Sequence, residues 1–337
     1  MDNYIFKQIK REYDIKRQNK IKESVQKKEE IYKNIPKLSE LEEQINLLAI
    51  KSAKTMLNSD ELTKQIEQEK IENSLKKLEE KKEKELNKNG VENVDFEPNF
   101  DCKICKDTGI IIEKGKTKYC ACFTQEIINN TYKQSNMLKL DEENFETFDI
   151  CYYSKKADKE KYGIEKSPVE NIECIKNVSK IFCDNIKNKE QKNLLFTGNT
   201  GLGKSFLANC IAKELIEKGK TVVYQTAPIL MDKVIEYKFS YNKTGIEKEQ
   251  YEKIFEVDLL IIDDLGTETM SNVKFTELFN IINTRLLRNK KILISTNLTL
   301  NQLYKEYDER VISRLIGNFT ICKFVGDDIR LKKKRIE

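Results

Sequence analysis

A parallel α/β sheet covered by helices, preceded by a helical N-terminal region and a small cysteine-bearing module, is the architecture the sequence predicts. Three observations predict it. From about residue 166 onward, short apolar runs alternate with helical stretches, the pattern of parallel strands linked by covering helices. Ahead of them stand two close cysteine pairs, Cys102/Cys105 and Cys120/Cys122. Residues 1–90 are rich in Lys, Glu, Gln and Asn, with one proline and no glycine before Gly90.

The helical region comes first. Apolar residues recur at helical spacing: Phe6, Ile9 and Tyr13, then Leu41, Ile45 and Leu48, then Leu62, Ile66, Leu75 and Leu78. Pro36 is expected to end the first helix, and Ser39 with Glu42 to form a capping box for the second. Asp60 is placed to cap the third. The apolar stripes are narrow, so these helices should pair with one another or with a partner. A solvated arm without a partner is the bland alternative. The run Lys76–Lys88 suits a solvated helix end or linker. The expected division is 1–90 helical partner-binding region, 91–125 metal-binding module, 126–165 linker and 166–337 nucleotide-binding domain.

In the second region, Cys102-x-x-Cys105 forms a knuckle, and the stretch to Cys120-x-Cys122 suits a hairpin turning near Gly115. Four thiolates gathered this way match a tetrahedral structural zinc site, a zinc-ribbon-like module. The second pair is C-x-C rather than the commoner C-x-x-C. A redox dithiol is the rival, but it would sit beside a βαβ pattern. Cys151, Cys174, Cys183, Cys210 and Cys322 are isolated and suit buried small apolar positions.

In the third region, the strand runs are Leu194–Thr197, Thr221–Gln225, Leu259–Asp263, Lys291–Thr296 and Phe319–Val325. The first is followed by Gly198, Asn199, Thr200, Gly201, Leu202, Gly203, Lys204 and Ser205, and then by a helical stretch. This is G-x-x-x-x-G-K-S in its strand–loop–helix context. The glycines let backbone N–H groups face phosphates, and the helix N-terminus adds its dipole. Lys204 is placed to reach the β- and γ-phosphates of a nucleoside triphosphate, and Ser205 to ligate Mg²⁺.

LLIIDDLG ends a buried strand in two acids. Asp263 is placed to hold Mg²⁺ through water, and Asp264 to orient or activate the attacking water. Two acids merely capping a strand are the bland alternative. Asn297, at the tip of KILISTN, could position that water or sense the γ-phosphate, although Asn at a strand end is often turn chemistry. Arg310 and Arg314 lie four apart on one helix face. They suit either a charge offered across a subunit interface or surface arginines bonded to acids such as Asp308. Arg330 could contact the γ-phosphate of its own subunit. No Asn-Lys-x-Asp guanine-reading sequence follows the two acids, which favours adenine. Phe145 and Phe148 suit core packing, with the base as an alternative neighbour.

Bulk properties narrow the class. The chain has 337 residues, enough for two or three domains. Lys+Arg (61) nearly balance Asp+Glu (56), and the net charge of +5 permits nucleic-acid binding without arguing for it. There is no histidine, so a metal site must use Cys or carboxylates and a general base must be a carboxylate or Lys. No apolar run reaches the ~18 residues of a membrane span, and MDNYIFKQIKREYD lacks the apolar core of a signal peptide. A cytoplasmic protein is expected.

GNTGLGKS, IIDDLG, STN, ERVISRL and GDDIR, in this order, resemble the AAA+ ATPase core of bacterial replicative helicase loaders of the DnaC/DnaI type. CKICKDTG, YCAC and the helical N-terminus resemble the helicase-binding region of the DnaI-like branch. The resemblance implies an AAA+ P-loop fold and an ATPase that uses ATP, Mg²⁺ and Zn²⁺. It also implies a replicative hexameric DNA helicase and single-stranded DNA as partners, and self-association through AAA+ interfaces. On matching positions fall Lys204, Ser205, Asp263, Asp264, Asn297 and Arg330, with Arg314 favoured over Arg310 as the arginine acting in trans. Asp264 stands where many motors carry Glu, which implies slow, switch-like hydrolysis. For single-stranded DNA, Lys233, Lys238 and Lys243 with Tyr237 and Tyr241 combine cations and aromatics; a charged amphipathic helix and loop explains them equally. Two other functions share the motifs: a transposition helper ATPase of the IstB type, and an ATP-gated protein adaptor with little DNA binding.

Overall fold

The structure, a computed structural model, describes residues 3–58, 61–91, 96–113, 115–131, 140, 142–240, 245–269 and 271–333. The chain falls into two compact units: Glu12–Thr108, and Gly109–Glu337 together with Met1–Arg11.

Three long helices dominate the first unit: α1 (Asn3–Asn34), α2 (Pro36–Asn58) and α3 (Glu61–Lys88). Proline disfavours helical geometry in the residue before it, so α1 stops at Asn34. Pro36 is itself the first residue of α2, where a missing N–H costs nothing. Ser39 therefore lies inside α2, and the expected capping box with Glu42 does not form. Glu42 instead accepts hydrogen bonds from Lys28 Nζ (2.7 Å), Tyr32 Oη (2.9 Å) and Lys82 Nζ (2.5 Å), which joins all three helices. Burial works to raise the Glu42 pKa, but these bonds outweigh it and hold the carboxyl at about 2. Leu38, Leu41 and Ile71 are buried, while Leu47 and Ile50 are exposed. The cap expected from Asp60 lies outside the described residues, as do the side chains of Leu62 and Ile66.

The second unit begins with an antiparallel hairpin, β1 (Ile110–Glu113) and β2 (Lys116–Tyr119), with Gly115 at φ 74 in its turn. Next comes α4 (Ala121–Thr131). The Gln125 amide donates to Val222 O (3.0 Å) and accepts from Val222 N (2.8 Å), so one side chain pairs the open backbone of an edge strand. Further along, Phe148 and Tyr153 are buried in the core. The described part of 126–165 is thus built into this unit rather than forming a linker, because its aromatic side chains need burial.

Five parallel strands form the sheet: β3 (Asn193–Thr197), β4 (Val222–Thr226), β5 (Leu259–Leu265), β6 (Lys291–Thr296) and β7 (Phe319–Lys323), in spatial order β4-β5-β6-β3-β7. All five fall on the apolar runs read from the sequence. The central strands are buried on both faces, as a parallel sheet covered by helices requires. Leu195, Val223, Leu260, Ile262, Ile292 and Ile294 face one layer, with residues of α8 (Ala227–Phe239), α10 (Asn272–Leu287) and α12 (Glu309–Asn318). Leu194, Phe196, Val222, Tyr224, Ile261 and Leu293 face the other, with α6 (Pro168–Asp184) and α7 (Lys204–Glu217).

One buried cation stands out. Arg285, on α10, is 0% exposed and donates to the carbonyls of Ile254 (2.6 Å), Val257 (3.0 Å) and Lys291 (2.6 Å). It ties the end of α9 (Gly245–Glu256) to the starts of β5 and β6. Burial lowers its pKa to about 9.

Candidate nucleotide-binding site

The loop between β3 and α7 lies at the C-terminal ends of the strands, where open α/β sheets place their ligands. Its glycines are required by geometry. Gly201 and Gly203 have φ 74 and 84, and a side chain at Gly203 would meet the Tyr153 hydroxyl at 2.8 Å. A side chain at Gly201 would strike the carboxylate of Asp328. Tyr153 donates from its hydroxyl to Leu202 O (2.8 Å), and Ile329 N–H donates to Gly201 O (2.9 Å). The loop is thus braced by residues before and after the sheet.

Lys204 is 5% exposed. Its ammonium donates to Gly198 O (2.6 Å), Asn199 O (2.7 Å) and Asn297 Oδ1 (2.8 Å). Burial lowers its pKa to about 8, against the opposing charges of Asp264 and Asp263. Asn297 also favours the charged form of Asp264, so one amide bears on both the cation and the second acid.

The two acids differ. Asp263 is buried; its Oδ2 accepts from the Tyr224 hydroxyl (2.8 Å) and its Oδ1 from the Ser295 hydroxyl. Asp264 is half-buried and lies in a left-handed conformation, φ 55, within a register shift between Ile262 and Leu265. Such an irregularity re-aims a side chain. Its N–H donates to Ser295 Oγ (3.1 Å). Burial raises the Asp264 pKa, helped by the charge of Asp263.

A cavity of ≈ 410 Å³ brings together Thr200, Gly201, Leu202, Gly203, Lys204, Ser205, Asp264, Asn297 and Arg330, with Phe148, Tyr152 and Tyr153 among its aromatic walls. Gly198, Asn199 and Asn297 border a second concavity of ≈ 560 Å³. Arg310 and Arg314 line neither. The Arg310 guanidinium pairs with Asp308 (Nε 2.9 Å), as the bland alternative had it, and both arginines lie over the Phe279 ring, at 5.2 and 5.4 Å. Of the residues considered for DNA, Lys238 donates to buried Glu277 (2.6 Å) and Tyr237 stacks on Tyr251 (4.4 Å between centroids). Tyr241 and Lys243 lie outside the described residues.

Sequence reasoning missed Tyr153, Tyr224, Ser295 and Asp328. Ser295 and Asp328 stand inside quoted motifs, STN and GDDI, and could have been singled out. Tyr224 carries no local signal; only cross-strand register brings it to Asp263.

Cys102 and Cys105 lie in the first unit, and Cys120 and Cys122 in the second. Four thiolates are the donor set a structural zinc takes, so the residues present fit that ion. Local bonds shape each pair. Asp107 accepts from Cys102 N (2.8 Å), and Cys120 N donates to Gly109 O (2.8 Å).

Comparison with known proteins yields related matches. A family model described as IstB-like ATP binding protein matches residues 155–336. The replicative helicase loader DnaC of Escherichia coli K12 is 30% identical over 138 residues, 40% of this chain and 55% of that protein. The DnaC of Buchnera aphidicola subsp. Baizongia pistaciae is 32% identical over 146 residues, 43% of this chain and 59% of that protein. The chain thus spans little more than half the length of these curated relatives. A crystal structure of the DnaC helicase loader superposes with a TM-score of 0.44 at 20% identity, covering 56% of this chain and 99% of that one. Among the described residues, no helix is long and apolar enough to cross a membrane.

Proposed function

The chain belongs to the IstB-like ATP-binding family, and from that premise we propose that it is an ATP-dependent loader of a replicative DNA helicase. One observation carries the nucleotide part: Lys204, Ser205, Asp264, Asn297 and Arg330 converge on one cavity, with Asp263 behind it. The loop N–H groups and the N-terminus of α7 cradle the phosphates. Lys204 exchanges its carbonyl partners for phosphate oxygens. Ser205 and Asp263 would hold Mg²⁺, which when bound would offset charge developing on the phosphates. Asp264 takes the proton of the attacking water, and Asn297 keeps Asp264 and Lys204 in register. Arg330 contacts the γ-phosphate of its own subunit, and Arg314 or Arg310 completes a neighbour's site in a homo-oligomer. Hydrolysis is slow and partner-regulated, consistent with the short Asp264 side chain.

The similarity to DnaC proteins over 138 and 146 residues supports the loader role. Under this proposal residues 1–90 grip the helicase and the AAA+ core binds single-stranded DNA. The four cysteines hold a structural Zn²⁺, and the purified protein should contain one zinc per chain that Cys102→Ser abolishes. Zinc-free protein of normal stability would remove the ion from the proposal. Co-purification of the full chain with the replicative helicase of its own host tests the loader role, with residues 1–125 as a second bait. Capture of a transposase instead would favour the helper ATPase. Salt-dependent binding of single strands, with and without ATP, separates a loader from an adaptor that does not touch DNA.

A further inference from the structure

Three neighbouring strands bring Tyr224 (β4), Asp263 (β5) and Ser295 (β6) to one face of the sheet. Tyr224 is in register with Ile261, which is in register with Leu293. Asp263 and Ser295 each lie two residues beyond these partners, and alternation keeps them on the same side. All three are buried, at 0%, 1% and 0% exposure. Each oxygen of Asp263 accepts from one of the two hydroxyls. Ser295 also accepts from the N–H of Asp264. Two hydroxyls thus touch two polar groups of the strand, the Asp263 carboxylate and the backbone of Asp264.

We infer that Tyr224 and Ser295 are positioning residues for the magnesium ion of the bound nucleotide, an inference that rests on the ATPase reading above. They hold the Asp263 carboxylate in one orientation with both oxygens engaged, so that it meets the ion through water rather than by direct ligation. Ser295 additionally fixes the left-handed turn that aims Asp264. A purely packing role would leave these hydroxyls free to use backbone carbonyls, as Thr296 does with Leu265 O (2.6 Å). Both protons go instead to the carboxylate. Groups that orient a metal's ligands typically matter about 10–100-fold for metal affinity.

The test is the binding of a fluorescent ATP analogue to the full chain, titrated with Mg²⁺ and repeated in EDTA. Wild-type protein that binds no nucleotide sinks the ATPase reading itself. With wild-type binding established, Tyr224→Phe and Ser295→Ala should each raise the Mg²⁺ concentration for half-maximal effect about tenfold. Affinity in EDTA should stay within about twofold, and Ser295→Thr should restore the wild-type midpoint. Midpoints within about twofold of wild type overturn the inference. So does an equal loss of affinity with and without Mg²⁺, which signals a packing defect. If Ser295→Ala fails to fold, Tyr224→Phe decides alone, since it keeps the buried ring and removes only the oxygen.

Discussion

The sheet-bearing unit and the helical unit are held together by different means. In Gly109–Glu337, two apolar layers bury the central strands of the sheet and polar atoms are placed on that rigid frame. In Glu12–Thr108, few of the described apolar side chains are fully buried, and the three helices meet at a knot of charge around Glu42. The difference teaches where precision is needed. Breaking a phosphate bond demands fixed distances, which a close-packed interior supplies. Three helices with a thin apolar seam can be held by ion pairs, each worth little.

Substitutions should therefore act strongly in the sheet unit and weakly in the helical one. The largest effect is expected from Asp264→Asn, which removes the proposed general base and should slow hydrolysis about a hundredfold or more while leaving nucleotide affinity near wild type. Equal rates in single-turnover assays would deny Asp264 that role. Lys204→Ala should weaken nucleotide binding about a hundredfold, as expected for losing two charge-assisted hydrogen bonds. Equilibrium fluorescence titration measures it. Arg285→Met leaves three buried carbonyls without donors and should destabilise the sheet unit by roughly 3 kcal/mol, read from urea unfolding. Glu42→Gln is the smallest, about 1 kcal/mol, read as loss of helical circular dichroism on heating. An effect as large as that of Arg285→Met would erase the contrast between the units. The same carboxylate sets a pH dependence. Its folded pKa of about 2 lies below its ordinary 4.5, so its stabilisation is complete above about pH 4.5 and fades as pH falls toward 2.

The sheet was legible because its strands are continuous apolar runs bounded by turn residues, and the phosphate loop because its chemistry is local. Residues whose roles depend on register were not. Tyr224 sits unremarked in TVVYQT, and its hydroxyl acquires a partner only when β4 pairs with β5. Lys238 and Tyr237 looked available for nucleic acid, yet Glu277 and Tyr251, far along the chain, meet them. The Ser39–Glu42 capping box failed for a nearer reason: Pro36 starts the helix three residues early, and Glu42 is drawn to cations on two other helices.

Arg285 carries a consequence for how such a chain can diversify. By gathering the carbonyls that close α9 and open β5 and β6, one guanidinium fixes where the polypeptide must return before it reaches Asp263. The segment ahead of it is released from that duty. Changes ahead of that point need not displace the acids, so the two stretches of chain can diverge at different rates.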